Sequence, residues 1–227
     1  MKKTLCILLI LTGSLSLTAQ NSHFSASAGL NMTNVLKSGD FFETTMPKPG
    51  MYAGIYHHLQ SENHLNFTYG LAYIEKGFRY RFDFVPLDQE ANTASGEALY
   101  AFRYNYAALP LKLGFQLDGN LKINPYIGFT TAYLVRAQQA YTLTDDGGST
   151  DYSQNMFAQA SKWDLSCQLG VTADLKSEGK LIPYAGLRLS GSLLPVSNEA
   201  YFAGENLRHY GVSIFVGIKL NKQKTDN

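Results

Sequence analysis

From Phe24 to Met32, apolar and polar positions alternate with a period of two. Phe24, Ala26, Ala28, Leu30 and Met32 interleave with Ser25, Ser27, Gly29 and Asn31. An extended strand with this sequence has one apolar face and one face of small polar groups. The pattern returns, making about eight strands in all. A second strand covers Met51–Leu59, and its phase is left open between Met51, Ala53 and Ile55 on the apolar face and Tyr52 and Tyr56 there instead. A third carries Leu65, Phe67, Tyr69, Leu71 and Tyr73 on one face, and a fourth carries Leu109, Leu111, Leu113, Phe115 and Leu117. The fifth sets Ile127, Phe129, Thr131, Tyr133 and Val135 against Tyr126, Gly128, Thr130, Ala132 and Leu134. The sixth alternates from Trp163 through Cys167 and Leu169 to Leu175. The seventh has Ala185, Leu187, Leu189 and Leu193 opposite Tyr184, Gly186, Arg188, Ser190 and Ser192. The eighth has Tyr210, Val212, Ile214, Val216 and Ile218 opposite Gly211, Ser213, Gly217 and Lys219.

The connections alternate in length. Residues 61–64, 118–122 and 176–180 are brief, whereas the regions around 34–48, 85–99, 137–160 and 195–207 are extended. Lipid offers the backbone no hydrogen-bond partner, so strands can cross a membrane only as a closed barrel. In such barrels tight turns face the periplasm and long loops face outward. The expected fold is therefore all-β: an eight-stranded antiparallel transmembrane β-barrel with short periplasmic turns and long extracellular loops. A soluble lipocalin-like barrel also alternates, but it requires the apolar rows inside.

The first twenty residues support the membrane reading. Lys2 and Lys3 precede an apolar stretch from Leu5 to Leu11 and a segment ending LTAQ, as in a secretory signal. The stretch is far short of the about 20 residues a spanning helix needs, although a signal anchor is the alternative. The expected organisation is a cleaved signal over 1–20, a barrel domain over 21–220 and a polar tail over 221–227, which places the protein in the bacterial outer membrane. Cys6 lies inside the apolar stretch, so Cys167 is the sole thiol of the mature chain and no internal disulfide forms. Without Lys2 and Lys3, the basic count falls from 19 to 17, one short of the 18 acidic residues. That balance gives no electrostatic footprint for nucleic acid. A mean hydropathy of −0.15 suits a barrel in which every second strand residue faces lipid.

Four segments, AGLNMTN (Ala28–Asn34), FTYGLAYIEKGF (Phe67–Phe78), NYAALPLKLGFQ (Asn105–Gln116) and PYIGF (Pro125–Phe129), together resemble the PorT-type outer-membrane β-barrel proteins of Bacteroidota. The pairing of Tyr73–Gly77 with Leu109–Lys112 is the most specific part. The resemblance implies an eight-stranded barrel from a group of mostly unassigned function, one member of which serves type IX secretion. It therefore implies an accessory role in protein secretion as one reading. The chain departs from many such barrels by ending its last strand at Leu220 with a polar tail, NKQKTDN, rather than on an aromatic residue.

Two constellations carry candidate chemistry. Continuing the inward phase past Lys76 in the third strand, and the inward phase of the fourth, groups Phe78, Tyr80, Phe82 and Phe84 with Tyr100, Phe102, Tyr104 and Tyr106, above a lipid contact that ends near Tyr73 and Ala107. The outward positions there turn polar, with Glu75, Arg79, Arg81, Asp83, Arg103 and Asn105. This cluster reads either as an aromatic plug that stiffens a hairpin above the membrane or as a mouth pocket for a small apolar or glycan ligand. Inside the barrel, Lys76, Lys112, Asp164, Asp174, Arg188 and Lys219 need partners, because an unpaired charge in a narrow interior is costly. They read as a structural charge network or, alternatively, as a proton or ion path, in a lumen that eight strands leave about filled by side chains.

Five histidines form no HExxH, no HxH and no cluster with cysteine, so neither a metal nor another cofactor is expected. His57 and His58 are adjacent and face opposite sides of a strand. For a hydrolase, the only loose candidates are His209 with Asp145 and Asp146. The function expected from these residues is that of a closed, non-enzymatic barrel serving as a structural or interaction protein. Its partners are outer-membrane lipid and, through loops or turns, another envelope protein. Cys167 falls on a lipid-facing row, where a thiol behaves as a small hydrophobe.

Overall fold

The computed structural model describes residues 21–36, 45–61, 63–84, 96–119, 121–145, 148–177, 179–197 and 206–220. The expected signal 1–20 and tail 221–227 lie outside them, as do Asp146 and the side chains of Asp83, Phe84 and Asp145. Within these bounds the chain forms nine strands: β1 (Asn21–Leu36), β2 (Thr45–Gln60), β3 (Leu65–Phe84), β4 (Gly96–Phe115), β5 (Lys122–Asp145), β6 (Gly148–Asn155), β7 (Trp163–Asp174), β8 (Leu181–Ser192) and β9 (Arg208–Leu220). Eight of them close a ring in the order β4-β3-β2-β1-β9-β8-β7-β5, which the β4–β5 pairing completes. All neighbours are antiparallel, and the first and last strands meet along a seam running from Ser25↔Lys219 to Leu36↔Arg208.

The polarity of the wall decides what surrounds it. Leu30, Met51, Ile55, Ile127, Phe129, Leu169, Ile214 and Val216 are each more than half exposed, and they lie on one continuous outer belt. Serine, asparagine, lysine and arginine side chains are buried on the inner face. A soluble protein does not expose an apolar belt of this extent. The belt faces hydrocarbon, which excludes the lipocalin-like arrangement. Its outer rim is the row Tyr73↔Ala107↔Tyr133↔Trp163, in which Tyr133 and Trp163 meet edge to face at 5.0 Å. Aromatic residues at this level sit at the headgroup boundary. The opposite rim carries Phe24, His57 and Tyr69, with His57 Nδ1 2.8 Å from the Tyr69 hydroxyl. Below it run the short connections 61–64, 116–121 and 175–180, which mark the periplasmic end. His64 holds a φ of 61° in the first of these turns.

The phase of β2 falls on the side of Met51, Ala53 and Ile55 as the lipid row. Tyr52 and Tyr56 point inward and are almost completely buried. The physical reason lies on the neighbouring strands, where inward glycines leave room for large rings; Gly70, the cross-strand partner of Tyr56, would bring a Cβ 2.8 Å from that ring. A Cβ on Gly170 would stand 2.4 Å from the Tyr126 hydroxyl, and one on Gly217 would stand 2.5 Å from Tyr184 Cζ. Small positions thus face large ones in a barrel too narrow for two rings side by side.

The strand count departs from expectation at 137–160. Instead of a loop, β5 runs on to Asp145, turns, and returns as β6 through Tyr141↔Tyr152 and its neighbours. The turn is closed by Gly148 at a φ of 136°, a conformation few other residues adopt. Two irregularities shape the upper wall. In β5 the register shifts opposite Asn105/Tyr106, so that Val135 and Arg136 both face outward and the alternation restarts one residue later. In β2 it shifts between Pro47 and Tyr52. There β1 side chains stand in for the ladder: Asn31 Nδ2 donates to the Glu75 carbonyl at 2.9 Å, Thr33 Oγ1 donates to the Gly77 carbonyl at 2.8 Å, and the Gly77 amide donates to Thr33 Oγ1 at 2.7 Å.

Replacing Gly217 by Val should overpack the lumen against Tyr184 and the Ala26 carbonyl. The expected cost is about 1–3 kcal/mol of stability with the fold retained, measured as a lowered urea midpoint of the protein folded into vesicles.

Candidate functional site: lumen and extracellular sheet

The sequence-predicted charges inside the barrel resolve into three separate arrangements rather than one network. Lys76 Nζ lies 2.5 Å from Asp164 Oδ2 and also donates to the hydroxyls of Ser192 and Ser166 at 3.2 and 3.4 Å. Lys219 Nζ lies 2.5 Å from Asp174 Oδ1 near the periplasmic rim. Lys112 and Arg188 have no carboxylate partner among the described residues. Lys112 rests 4.2 Å from the ring centre of Tyr56 and 5.0 Å from that of Tyr126. Arg188 lies 4.2 Å over Tyr52 and donates from Nη2 to Ser213 Oγ at 2.9 Å, and the Ser213 hydroxyl in turn donates a hydrogen bond to Asn31 Oδ1 at 2.8 Å. Pairing satisfies the first two lysines; ring faces serve the other two cations.

One buried carboxylate escaped the sequence reading. Glu75, expected among the water-facing positions, is instead buried between Lys48 Nζ at 2.6 Å and Arg103 Nε at 3.0 Å. Lys48 comes from the irregular stretch of β2, so no strand periodicity points to it.

The aromatic constellation divides by height. Phe78, Phe102, Tyr104 and Tyr106 are buried together, with Phe78 and Phe102 stacked at 4.5 Å. Leu134, Met156, Val196, Leu207 and Val35 complete that cluster, so an apolar plug fills the extracellular half of the lumen. Met156 and Ala160 belong to the segment after β6, whose Met156 amide donates to the Ala137 carbonyl at 3.0 Å. Higher up, the cluster opens into a half-exposed sheet. Tyr80 and Tyr100 are only partly covered and Phe82 is 38% exposed. Phe84 lies beyond the described side chains.

Here sequence reasoning missed two members. Tyr80, Tyr100, Tyr141 and Tyr152 are direct cross-strand neighbours on β3, β4, β5 and β6. Their rings form a row with Phe82: Phe82 to Tyr100 at 5.7 Å, Tyr100 to Tyr141 at 5.2 Å and Tyr141 to Tyr152 at 4.8 Å, all within 25° of parallel. The signal was present in the DDGG turn and in the alternation that resumes at Ala137, after the bulge. Burial and the neighbouring Tyr141 and Tyr80 hold the Tyr100 phenol above its ordinary range, so it stays protonated. On the other face of the sheet, Arg81 pairs with Glu97 at 3.0 Å and Thr142 Oγ1 donates to Asp151 at 2.6 Å.

His58 is buried between the hydroxyls of Ser25 and Thr68, at 2.7 and 2.8 Å, while His57 faces outward. His209 is buried against Tyr104, and of its expected companions neither Asp146 nor the Asp145 side chain falls among the described residues. Among the described residues no three His, Cys, Asp or Glu side chains converge on one point. Cys167 is exposed on the lipid belt.

The family model described as outer membrane protein beta-barrel domain matches residues 18–197. The chain belongs to that family. The family and the closed ring with its apolar belt place it in the bacterial outer membrane. No match to a curated protein was found. Solved structures with a similar layout include the Neisserial surface protein A, at 13% identity and a TM-score of 0.41, covering 89% of this chain and 100% of that one. Ail, the attachment invasion locus protein of Yersinia pestis, follows at 10% identity and 0.37, covering 88% and 100%. The outer membrane protease OmpT of Escherichia coli gives 8% and 0.39, covering 90% and 98%. None of these likenesses is close enough to bear on activity.

Removing one partner of the innermost pair should be severe. Lys76→Met leaves Asp164 buried without a counter-charge, and a loss of about 3–5 kcal/mol is expected in urea unfolding from vesicles. Adding Asp164→Leu to the same chain should restore most of that loss.

Proposed function

We propose that this protein is a closed, non-enzymatic barrel of the outer membrane that acts as an interaction protein. Its working surface is the sheet raised above the lipid belt by the upper parts of β3, β4 and β5 together with β6. The observation that carries this reading is the free edge of β6. Closure removes edges from a barrel, and natural sheets blunt the edges they retain with charge, proline or cover. Among the described residues, β6 pairs with β5 alone and presents eight exposed residues, GSTDYSQN, with Asp151 as their single charge. Such an edge suits the addition of an extended segment from another envelope protein.

The tyrosine row supports this use. Stacked rings spend their faces on one another, so the row offers edges and hydroxyls, which stiffen a docking sheet better than they line an apolar or glycan pocket. The plug around Phe78, Tyr104 and Leu134 supports a lumen closed to solutes. The motifs around Tyr73–Gly77 and Leu109–Lys112 support a PorT-type identity within the family, as in Bacteroidota. An accessory role in secretion would be one form of such docking, and the LTAQ-ending leader would direct export.

A photo-crosslinking residue at Thr150 or Gln154 in β6 should capture a discrete partner in intact cells, while the same probe at Ile127 in the lipid belt captures none. Equal capture at the two levels, or none at either, would remove the docking role. Planar-bilayer recording should give no steady conductance. Tyr100→Ala combined with Tyr141→Ala should expose the β3–β4 and β5–β6 hairpins to protease and leave the barrel intact, as judged by the surviving fragments.

A further inference from the structure

Among the described residues the barrel buries five cations, Lys48, Lys76, Lys112, Arg188 and Lys219, against three carboxylates, one of which, Glu75, is taken up by Lys48 and Arg103. Asp164 neutralises Lys76 and Asp174 neutralises Lys219, which leaves Lys112 and Arg188 uncompensated. The two lie close enough for each to feel the other's charge. Arg188 at least donates to Ser213. Lys112 donates to nothing among the described residues, and its only neighbours of note are the ring faces of Tyr56 and Tyr126. An ammonium carries three donors, and a π face replaces only part of the hydration it gives up.

Lys112 borders a cavity of about 30 Å³ at the periplasmic end of the lumen, lined also by Asn66, Thr68, Asn124, Tyr126 and Lys219. Asn124 is 4% exposed, and neither its amide nitrogen nor its oxygen has a partner; the Tyr126 hydroxyl has none either. Three residues with unused donors therefore line one space: an ammonium, a side-chain amide and a phenol. A water could satisfy the last two but would leave the charge on Lys112 standing. The volume holds two or three water-sized spheres at about 10–15 Å³ each, enough for a halide-sized ion and too small for an organic acid.

We infer that the periplasmic end of the lumen is a binding site for a small inorganic monoanion of chloride size. The anion accepts hydrogen bonds from Lys112 Nζ, Asn124 Nδ2 and the Tyr126 hydroxyl, and it supplies negative charge that the described part of the lumen lacks. Lys219 in the lining is cancelled by Asp174, and Arg188 does not line the cavity, so a single negative charge is the match there. Entry is from the periplasmic rim, because Asn66, Asn124 and Lys219 lie within three residues of their strand ends there.

The test uses the full mature barrel folded in a zwitterionic detergent and freed of halide. Its thermal midpoint is followed as sodium chloride replaces sodium gluconate at constant ionic strength. Wild-type protein should show a saturable rise in midpoint with chloride, since a ligand that binds only the folded state stabilises it by mass action. The rise should vanish in Lys112→Met and shrink in Asn124→Leu, which keeps every lumen charge. Equal midpoints in chloride and gluconate, or an undiminished rise in Lys112→Met, would overturn the assignment. If Lys112→Met does not fold, ³⁵Cl line broadening by the wild-type protein decides: broadening reversed by bromide supports the site, and its absence refutes it.

Discussion

Hydrocarbon gives a peptide group nothing to bond to, and the architecture follows from that single lack. Each strand that crosses the bilayer must hand all of its amides and carbonyls to a neighbour, so the sheet must return to its own first strand. Eight strands are enough to do this and leave a bore only wide enough for side chains. The bore then sets its own rule: where one strand contributes a large ring, its neighbour can withdraw to glycine, as Gly170 does beside Tyr126 and Gly217 beside Tyr184. The polar interior is filled largely by side chains. Its charges are met by carboxylates, serine hydroxyls and tyrosine faces.

Above the membrane the constraint lifts, and the protein behaves differently. Water can satisfy an unpaired edge there, so β5 continues beyond the end of β7, still paired with β4, and acquires β6 on its other side. Outward positions that would have been leucine become Arg81, Glu97 and Asp151, and the inward row becomes tyrosine. Stability in this region comes from stacking across four strands rather than from closure. The change of regime falls at the Tyr73–Tyr133–Trp163 rim, where the lipid belt ends.

Period-two alternation made most of the ring legible in sequence, because each strand of a barrel reports its two environments directly. It failed where geometry leaves no trace in periodicity. The bulge at Val135 and Arg136 resets the phase of β5, so reading Val135 as the end of the strand hid Tyr141 and Tyr152. The irregular stretch of β2 brings Lys48 onto Glu75, a pairing set by a lost register rather than by spacing. The lumen charges were legible as a set. Which lysine meets which aspartate depends on how the wall curves, and on that curvature Lys112 finds two tyrosines and no acid. Phe215, buried in the lumen against Tyr52 and Tyr184, broke the small and polar pattern of its row and was passed over.

The seam between the first and last strands has a consequence for assembly. Almost every other pairing in the ring joins segments close in the chain, and so can zip up as successive hairpins at small entropic cost. Only the β9 to β1 contact must wait for the whole polypeptide, and it forms between two segments whose outer ends, Asn21 and Leu220, reach the same periplasmic rim. Closure is therefore the last and least local event of folding. Until it happens, both partner edges stand open together, side by side at the place where a cellular insertion machine would have to hold them.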